Sequence, residues 1–76
     1  MSEVVLSERH PATQQLMRWL VPNQLLSGRP FEVSCAVEEL ALGMLHVLPD
    51  GPELSAGLRK LLEAKDCFVR AAVDAS

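Results

Sequence analysis

The residues best suited to bind an anionic ligand are a tryptophan and a small set of basic side chains. Arg18 and Trp19 are adjacent in the chain. An indole offers a flat face on which a nucleobase can stack, and arginine supplies positive charge for a phosphate. Arg59, Lys60 and Arg70 follow in the last third of the sequence. These residue types predict a site for a ligand that carries only a few phosphates.

The same residues also have a purely structural interpretation. Trp19 would anchor a short helix to its neighbours. Arg59 would form an i,i+4 ion pair with Glu63, and Arg70 would form the same kind of pair with Asp66 on a solvated helix face. Residue types alone favour this structural interpretation.

No pattern of catalytic residues or metal ligands occurs in the sequence. It lacks a Gly-rich phosphate loop, a metal-ligand pair at helical spacing, and a Ser-His-Asp or Cys-His arrangement. Cys35 and Cys67 have no close spacing to each other or to either histidine, and we interpret them as buried free thiols. We therefore expect neither an enzyme nor a bound metal or cofactor.

Size and charge limit the class of protein and of partner. The chain has 76 residues and a formal net charge of −3. That charge argues against duplex nucleic acid as a partner, since such binding depends on many basic residues. The sequence has no run of about 18 apolar residues that would span a membrane, and its start does not resemble a signal peptide. We expect a cytoplasmic protein whose small core gains support from self-association.

Hydrophobic periodicity predicts an all-α fold with a single domain. A short helix is expected over about residues 11–20, a second over about 31–48, and a third over about 52–74. The third is long enough to lie antiparallel along the second. The prediction is a short N-terminal helix followed by an antiparallel two-helix hairpin in residues 10–76, after a flexible arm at residues 1–9.

The turn of the hairpin is expected at the sequence Pro-Asp-Gly-Pro, residues 49–52. Proline fixes φ and fits the first turn of a helix, so Pro52 would begin the third helix. Asp50 would cap that helix, and Gly51 would supply a positive φ.

Apolar residues at helical spacing predict which faces are buried. In the first helix the shared face consists of Leu16, Trp19 and Leu20. In the second helix it consists of Val33, Ala36, Val37, Leu40, Ala41, Met44, Val47 and Leu48. In the third helix it consists of Leu54, Leu58, Leu61, Leu62, Phe68, Val69 and Ala72.

The third helix also carries a row of small residues. Gly57, Ala64 and Ala71 recur every seven residues, and small side chains let another helix approach closely. The hairpin has no further long helix to cover this row, so we infer a homo-oligomer. Lys65 lies within the apolar stripe, where it would either snorkel to water or pair with a carboxylate or phosphate at a subunit junction. The expected interface thus comprises Gly57, Ala64, Lys65 and Ala71.

The segment LPDGPELSAGLRKLLEAKD at residues 48–66, with VRAAV at 69–73, resembles the hairpin domain of small phage proteins that sponge cyclic nucleotides. They include the anti-CBASS sponge and the related core of an anti-Thoeris sponge. The resemblance covers residues 30–73 well and residues 10–22 loosely. The chain departs from the family pattern because it has no tyrosine near its His-Pro segment.

This resemblance implies a homo-oligomer, often a hexamer, that binds immune second messengers between protomers and holds them without cleavage. Its cations would contact phosphates or base edges, its tryptophan would stack, and a serine at the helix start would donate to phosphate. The ligand-binding residues expected on this basis are Arg18, Trp19, Ser55, Arg59, Lys60 and Arg70. The alternative function is a structural or adaptor protein whose small-residue row binds a helix of another protein.

Overall fold

Helices make up most of the chain. The computed structural model describes residues 5–22 and 26–75 of the 76-residue sequence. Its elements are α1 (Pro11–Leu20), α2 (Gly28–Val47) and α3 (Pro52–Asp74), with one turn of 3-10 helix at Leu6–Glu8. The all-α class is confirmed, since the described ranges contain no strand, and the order of one short and two long helices fits the predicted hairpin. None of these helices is long and apolar enough to cross a bilayer.

Local sequence determines where the helices begin. Pro11 and Pro52 lie in the first turns of α1 and α3, where the missing N–H is not needed. His10 is the N-cap of α1, and its Nδ1 accepts a hydrogen bond from the Ala12 amide at 3.0 Å. The second helix begins at Gly28 rather than near residue 31, and Gly28 takes a φ of 65°, which favours glycine.

The turn between α2 and α3 differs from the prediction. Gly51 has a φ of 166°, which is extended backbone, and no side chain caps α3. Asp50 does not bond to the start of α3, because its carboxylate is directed to the segment that precedes α1 and to α1 itself.

Asp50 joins the N-terminal segment to the hairpin. Its carboxylate accepts hydrogen bonds from the His10 amide at 2.9 Å, the Thr13 hydroxyl at 2.8 Å and Arg9 Nε at 3.0 Å. His10 and Thr13 lie at the N-terminal end of α1, so the negative charge stands at the positive end of that helix dipole. The amide bond from His10, then the Thr13 and Arg9 contacts, hold the pKa of Asp50 below its ordinary value of 3.8.

Arg9 completes the same junction. Its Nη1 donates to the Leu45 carbonyl and its Nη2 to the Leu48 carbonyl, both at 2.8 Å. Carbonyls at a helix C-terminus lack partners within the helix, and a cation there opposes the negative end of the dipole. Of the predicted flexible arm, residues 1–4 lie outside the described part of the chain, whereas Arg9 is bonded to the hairpin.

Lys65 binds the other end of α1. It is 8% exposed, and its Nζ donates to the Trp19 carbonyl at 2.8 Å and the Val21 carbonyl at 3.1 Å. The sequence suggested that this ammonium would reach water or a subunit junction. It instead binds within its own chain, because the last carbonyls of a short helix need donors.

These two contacts determine the direction of α1. Its N-terminal end lies at Asp50, just before α3, and its C-terminal end lies at Lys65, in the middle of α3. The first helix therefore runs parallel to α3 and antiparallel to α2. The core between the three helices consists of Met17, Leu20, Val37, Ala41, Leu45, Leu54 and Leu58.

The buried face of α1 also differs from the prediction. Thr13, Met17 and Leu20 are almost fully buried, whereas Trp19 is 61% exposed. Met17 takes the anchoring position expected of Trp19, because Thr13, Met17 and Leu20 recur at i, i+4 and i+7 and share one face of α1, whereas Trp19 lies off that face.

A large part of the predicted apolar faces of α2 and α3 is exposed. A helix of ten residues covers only one side of the α2–α3 groove. The other side, which we call the open face, carries two apolar depressions of about 540 and 480 Å³. The residues that define the open face are Leu40, Met44, Gly57, Phe68 and Ala71.

Replacing Asp50 with Asn should lower the stability of the protein at neutral pH, since an amide cannot accept all three hydrogen bonds. Because the folded-state pKa is lowered, the contribution of Asp50 is complete above pH 3.8 and disappears as the pH falls through the folded value. Urea unfolding from about pH 7 to about pH 2.5 should show the difference in free energy of unfolding shrinking in acid. Glu63→Gln, an exposed change on α3, is the control. A difference that does not vary with pH would contradict this role.

Replacing Lys65 with Met should lower the free energy of unfolding by about 1–3 kcal/mol, because two carbonyls at the end of α1 lose their donor. Met retains much of the apolar stem. Lys60→Met is the matched control, and this exposed change should stay within about 0.5 kcal/mol of wild type. Chemical denaturation measures both losses. Equal losses of unfolding free energy in the two variants would contradict a stabilising role of Lys65 at the end of α1.

Candidate functional site

A cleft opens between the C-terminal end of α1 and the second half of α3. Its volume is about 520 Å³, within the range of small-molecule sites. We call it the Trp19 cleft. Its polar and aromatic lining residues are Arg18, Trp19, Ser34, Lys65, Asp66 and Arg70. Its apolar lining residues are Val21, Pro22, Leu26 and Val69.

The two arginines at this cleft keep most of their donors. Within the described part of the chain Arg18 makes one hydrogen bond, a long one from Nη1 to Gln15 Oε1 at 3.4 Å. Arg70 donates from Nη2 to the Cys67 sulfur, also at 3.4 Å. A guanidinium has five N–H groups, so both arginines have donors available for a ligand.

The local charge of the Trp19 cleft is opposite to that of the whole chain. Arg18, Lys65 and Arg70 contribute three positive charges to its lining, and Asp66 contributes one negative charge. The chain as a whole carries −3. A positive cleft on an acidic protein favours an anionic ligand at this position.

A buried hydroxyl without a partner lies in the lining of the Trp19 cleft. Ser34 is 0% exposed, and among the described residues its Oγ has no hydrogen-bond partner. Buried polar groups are nearly always paired, and leaving one unpaired costs about 1–3 kcal/mol. This hydroxyl is therefore a group that a ligand inside the cleft would satisfy.

The structure brings together only part of the predicted ligand site. Arg18, Trp19 and Arg70 line the Trp19 cleft. Ser55 lies toward the other end of α3, about 22 Å along the helix axis from Arg70. There it lines a smaller cleft of about 330 Å³ beside Asp50.

Two further predicted ligand residues lie outside both clefts. Arg59 and Lys60 are exposed on α3, and neither lines the Trp19 cleft or the cleft at Ser55. The predicted ion pair between Arg59 and Glu63 does not form. Among the described residues, the ion pair in the structure joins Arg9 to Asp50.

The second predicted ion pair is also absent. Arg70 donates to Cys67 rather than to Asp66. Both cysteines are free, but Cys67 is exposed and Cys35 is half-buried, so the prediction of buried thiols is wrong for Cys67. Asp66 is four residues before Arg70 and shares the Trp19 cleft with it.

The predicted interface residues separate into two groups. Gly57 and Ala71 are exposed and Ala64 is half-buried, and a Cβ built on Gly57 would meet nothing within 4 Å. Packing within the chain therefore does not require glycine there. Lys65 does not belong to this row, because its ammonium is bound to α1.

Sequence reasoning gave Ser34 no role, although one signal was present. Ser34 lies at i−3 from Val37 and i−7 from Ala41, which places it on the buried side of α2. A serine at such a position needs a partner. That its hydroxyl has no partner among the described residues is visible only in the tertiary structure.

The Trp19 cleft combines an aromatic surface, cationic donors and a buried hydroxyl. These groups can stack on a planar ring, bind an anion and donate to an oxygen. Among the described residues no cluster of His, Cys, Asp and Glu is arranged to hold a metal ion. Comparisons of this chain with protein-family models, curated proteins and solved structures find no significant match.

Proposed function

We propose that this protein binds a cyclic nucleotide second messenger and holds it without cleaving it. The Trp19 cleft carries the proposal, because it places an exposed indole and two arginines with available donors beside an unpartnered hydroxyl. A nucleotide presents a planar base and anionic phosphates, which match these groups. The resemblance of residues 30–73 to phage sponges supports the same class of ligand.

In this role the protein acts by mass action. A binder present in excess of the messenger, with a dissociation constant below the signalling concentration, lowers the free messenger and keeps its effector silent. Trp19 and the arginines hold the ligand, and the role requires no chemical step. The proposal describes a phage anti-defence protein in the cytoplasm of the bacterial host.

Assembly is the second part of the proposal: a further copy of this chain covers the open face. Leu40 and Phe68 are each more than half exposed there, and burying apolar side chains of this size is favourable. Gly57 leaves room for a close approach. A small domain with a marginal core also gains stability from such an interface.

The open face also favours a second candidate function. Exposed apolar residues beside a row of small ones would fit an amphipathic helix of another protein. Such an adaptor would use the open face and leave the Trp19 cleft empty. Ligand capture therefore separates the two functions.

The protein should retain an intact cyclic nucleotide. We expect this when it is incubated with a panel of cyclic di- and trinucleotides and cyclic ADP-ribose isomers, separated from unbound ligand, and heat-denatured. Mass spectrometry of the released material should show unmodified ligand in near-stoichiometric amount. Released product would indicate a hydrolase, and uptake of nothing would contradict the proposed function.

Substitutions should locate the ligand at the Trp19 cleft. Trp19→Ala should weaken binding roughly 5- to 150-fold, because stacking of a base on an aromatic side chain contributes about 1–3 kcal/mol. Arg70→Ala should also weaken it. Arg59→Ala is the matched change outside the cleft, and calorimetry should show near wild-type affinity. A large loss of affinity with Arg59→Ala and none with Arg70→Ala would show that the ligand binds elsewhere on α3.

Gly57→Leu should reduce the oligomer without unfolding the protomer. The added side chain meets open space within the chain, but it would block a helix that packs on the open face. Light scattering should give a mass that is a multiple of 8.3 kDa for wild type and a lower mass for the variant. Glu63→Leu, an exposed change on another side of α3, is the control. A monomeric wild type would contradict self-association.

A further inference from the structure

We infer that Ser34 and Lys65 form the floor of the Trp19 cleft and bind an anionic phosphoryl oxygen of the ligand. This inference rests on the proposed function and assigns one chemical group of the ligand to one part of the cleft. The arginines and Trp19 are exposed at the rim. The two floor residues are at most 8% exposed.

Each floor residue has a donor without a partner in the part of the chain that the structure describes. An ammonium has three N–H groups, and Lys65 gives two of them to the Trp19 and Val21 carbonyls. The Ser34 hydroxyl has no hydrogen-bond partner among residues 5–22 and 26–75. Both side chains line the same cleft, so one unused N–H and one unused O–H are available to a group that enters it.

The donors at the floor favour an anionic acceptor. Lys65 has no acceptor atom and carries a charge, and hydrogen bonds from a charged donor to an anionic oxygen are roughly twice as strong as neutral ones. A phosphoryl oxygen would accept from the hydroxyl and the ammonium together. Asp66 is the acidic residue in the lining, and the basic residues outnumber it, so the cleft as a whole tolerates a phosphate.

This assignment also orients the ligand. A phosphate bound at the buried floor leaves the base at the rim, where Trp19 is 61% exposed and offers its ring for stacking. The position of the floor depends on α1, because the carbonyls that hold Lys65 belong to the end of that helix. A bound phosphate would thus give the Ser34 hydroxyl a hydrogen-bond partner, which it lacks among the described residues.

Ser34→Ala tests the inference through two effects of opposite sign. The free variant should melt about 4 °C or more above wild type, because it loses an unpaired buried hydroxyl at little change in volume. Its affinity should fall about 10- to 150-fold, because a charge-assisted hydrogen bond is lost. Ser55→Ala is the matched control at the other end of α3 and should show neither effect.

Calorimetry with cyclic di-AMP, cyclic di-GMP, cyclic tri-AMP and cyclic ADP-ribose, and with phosphorothioate forms of the dinucleotides, completes the test. Sulfur in place of the bound oxygen should weaken wild type more than Ser34→Ala, since the two changes remove the same contact. If no probe binds wild type, both the proposed nucleotide binding and the phosphate contact at the floor are disproved. If a probe binds wild type and Ser34→Ala equally well, or if phosphorothioate substitution weakens binding by the same factor in both, only the phosphate contact at the floor is disproved.

Discussion

A helix of ten residues is not stable alone in water, and the fold depends on the two charges that hold α1 in place. Asp50 binds its N-terminal end and Lys65 its C-terminal end. Each sign matches the pole of the helix dipole that it meets, and each side chain pairs backbone groups that a helix cannot pair by itself. Reversing α1 would place each charge against the wrong pole, so electrostatics selects the direction that runs parallel to α3. Burial of Met17 and Leu20 then stabilises that arrangement.

The position of α1 creates both surfaces to which we assign function. The bond from Lys65 holds the end of α1 on the middle of α3, and a cleft forms between that end and Arg70, with Trp19 exposed beside it. Because α1 is short, it covers one side of the α2–α3 groove and leaves the open face exposed. One set of contacts therefore produces a polar cleft on one side of the hairpin and an apolar surface on another.

These surfaces differ in chemistry, and their functions are separable. The Trp19 cleft has donors without partners and a positive local charge, which suit a small anion with a planar ring. The open face has exposed Leu40 and Phe68 and space at Gly57, which suit a helix.

Proline positions and helical periodicity are local properties, so the sequence predicts the number and order of the helices. Residues 11–20 and 52–74 were predicted as helices and form α1 and α3. It also singled out Arg18, Trp19 and Arg70, whose types suit a nucleotide. Only the packing of α1 against α3 shows that these three residues line one cleft while Ser55, Arg59 and Lys60 lie elsewhere. The packing of the helices also determines which side of α2 is buried, since the apolar stripe of α2 is wider than the part of the groove that α1 covers.

The partners of Asp50 and Lys65 lie about 40 residues or more away in sequence, and no local pattern encodes a contact across that separation.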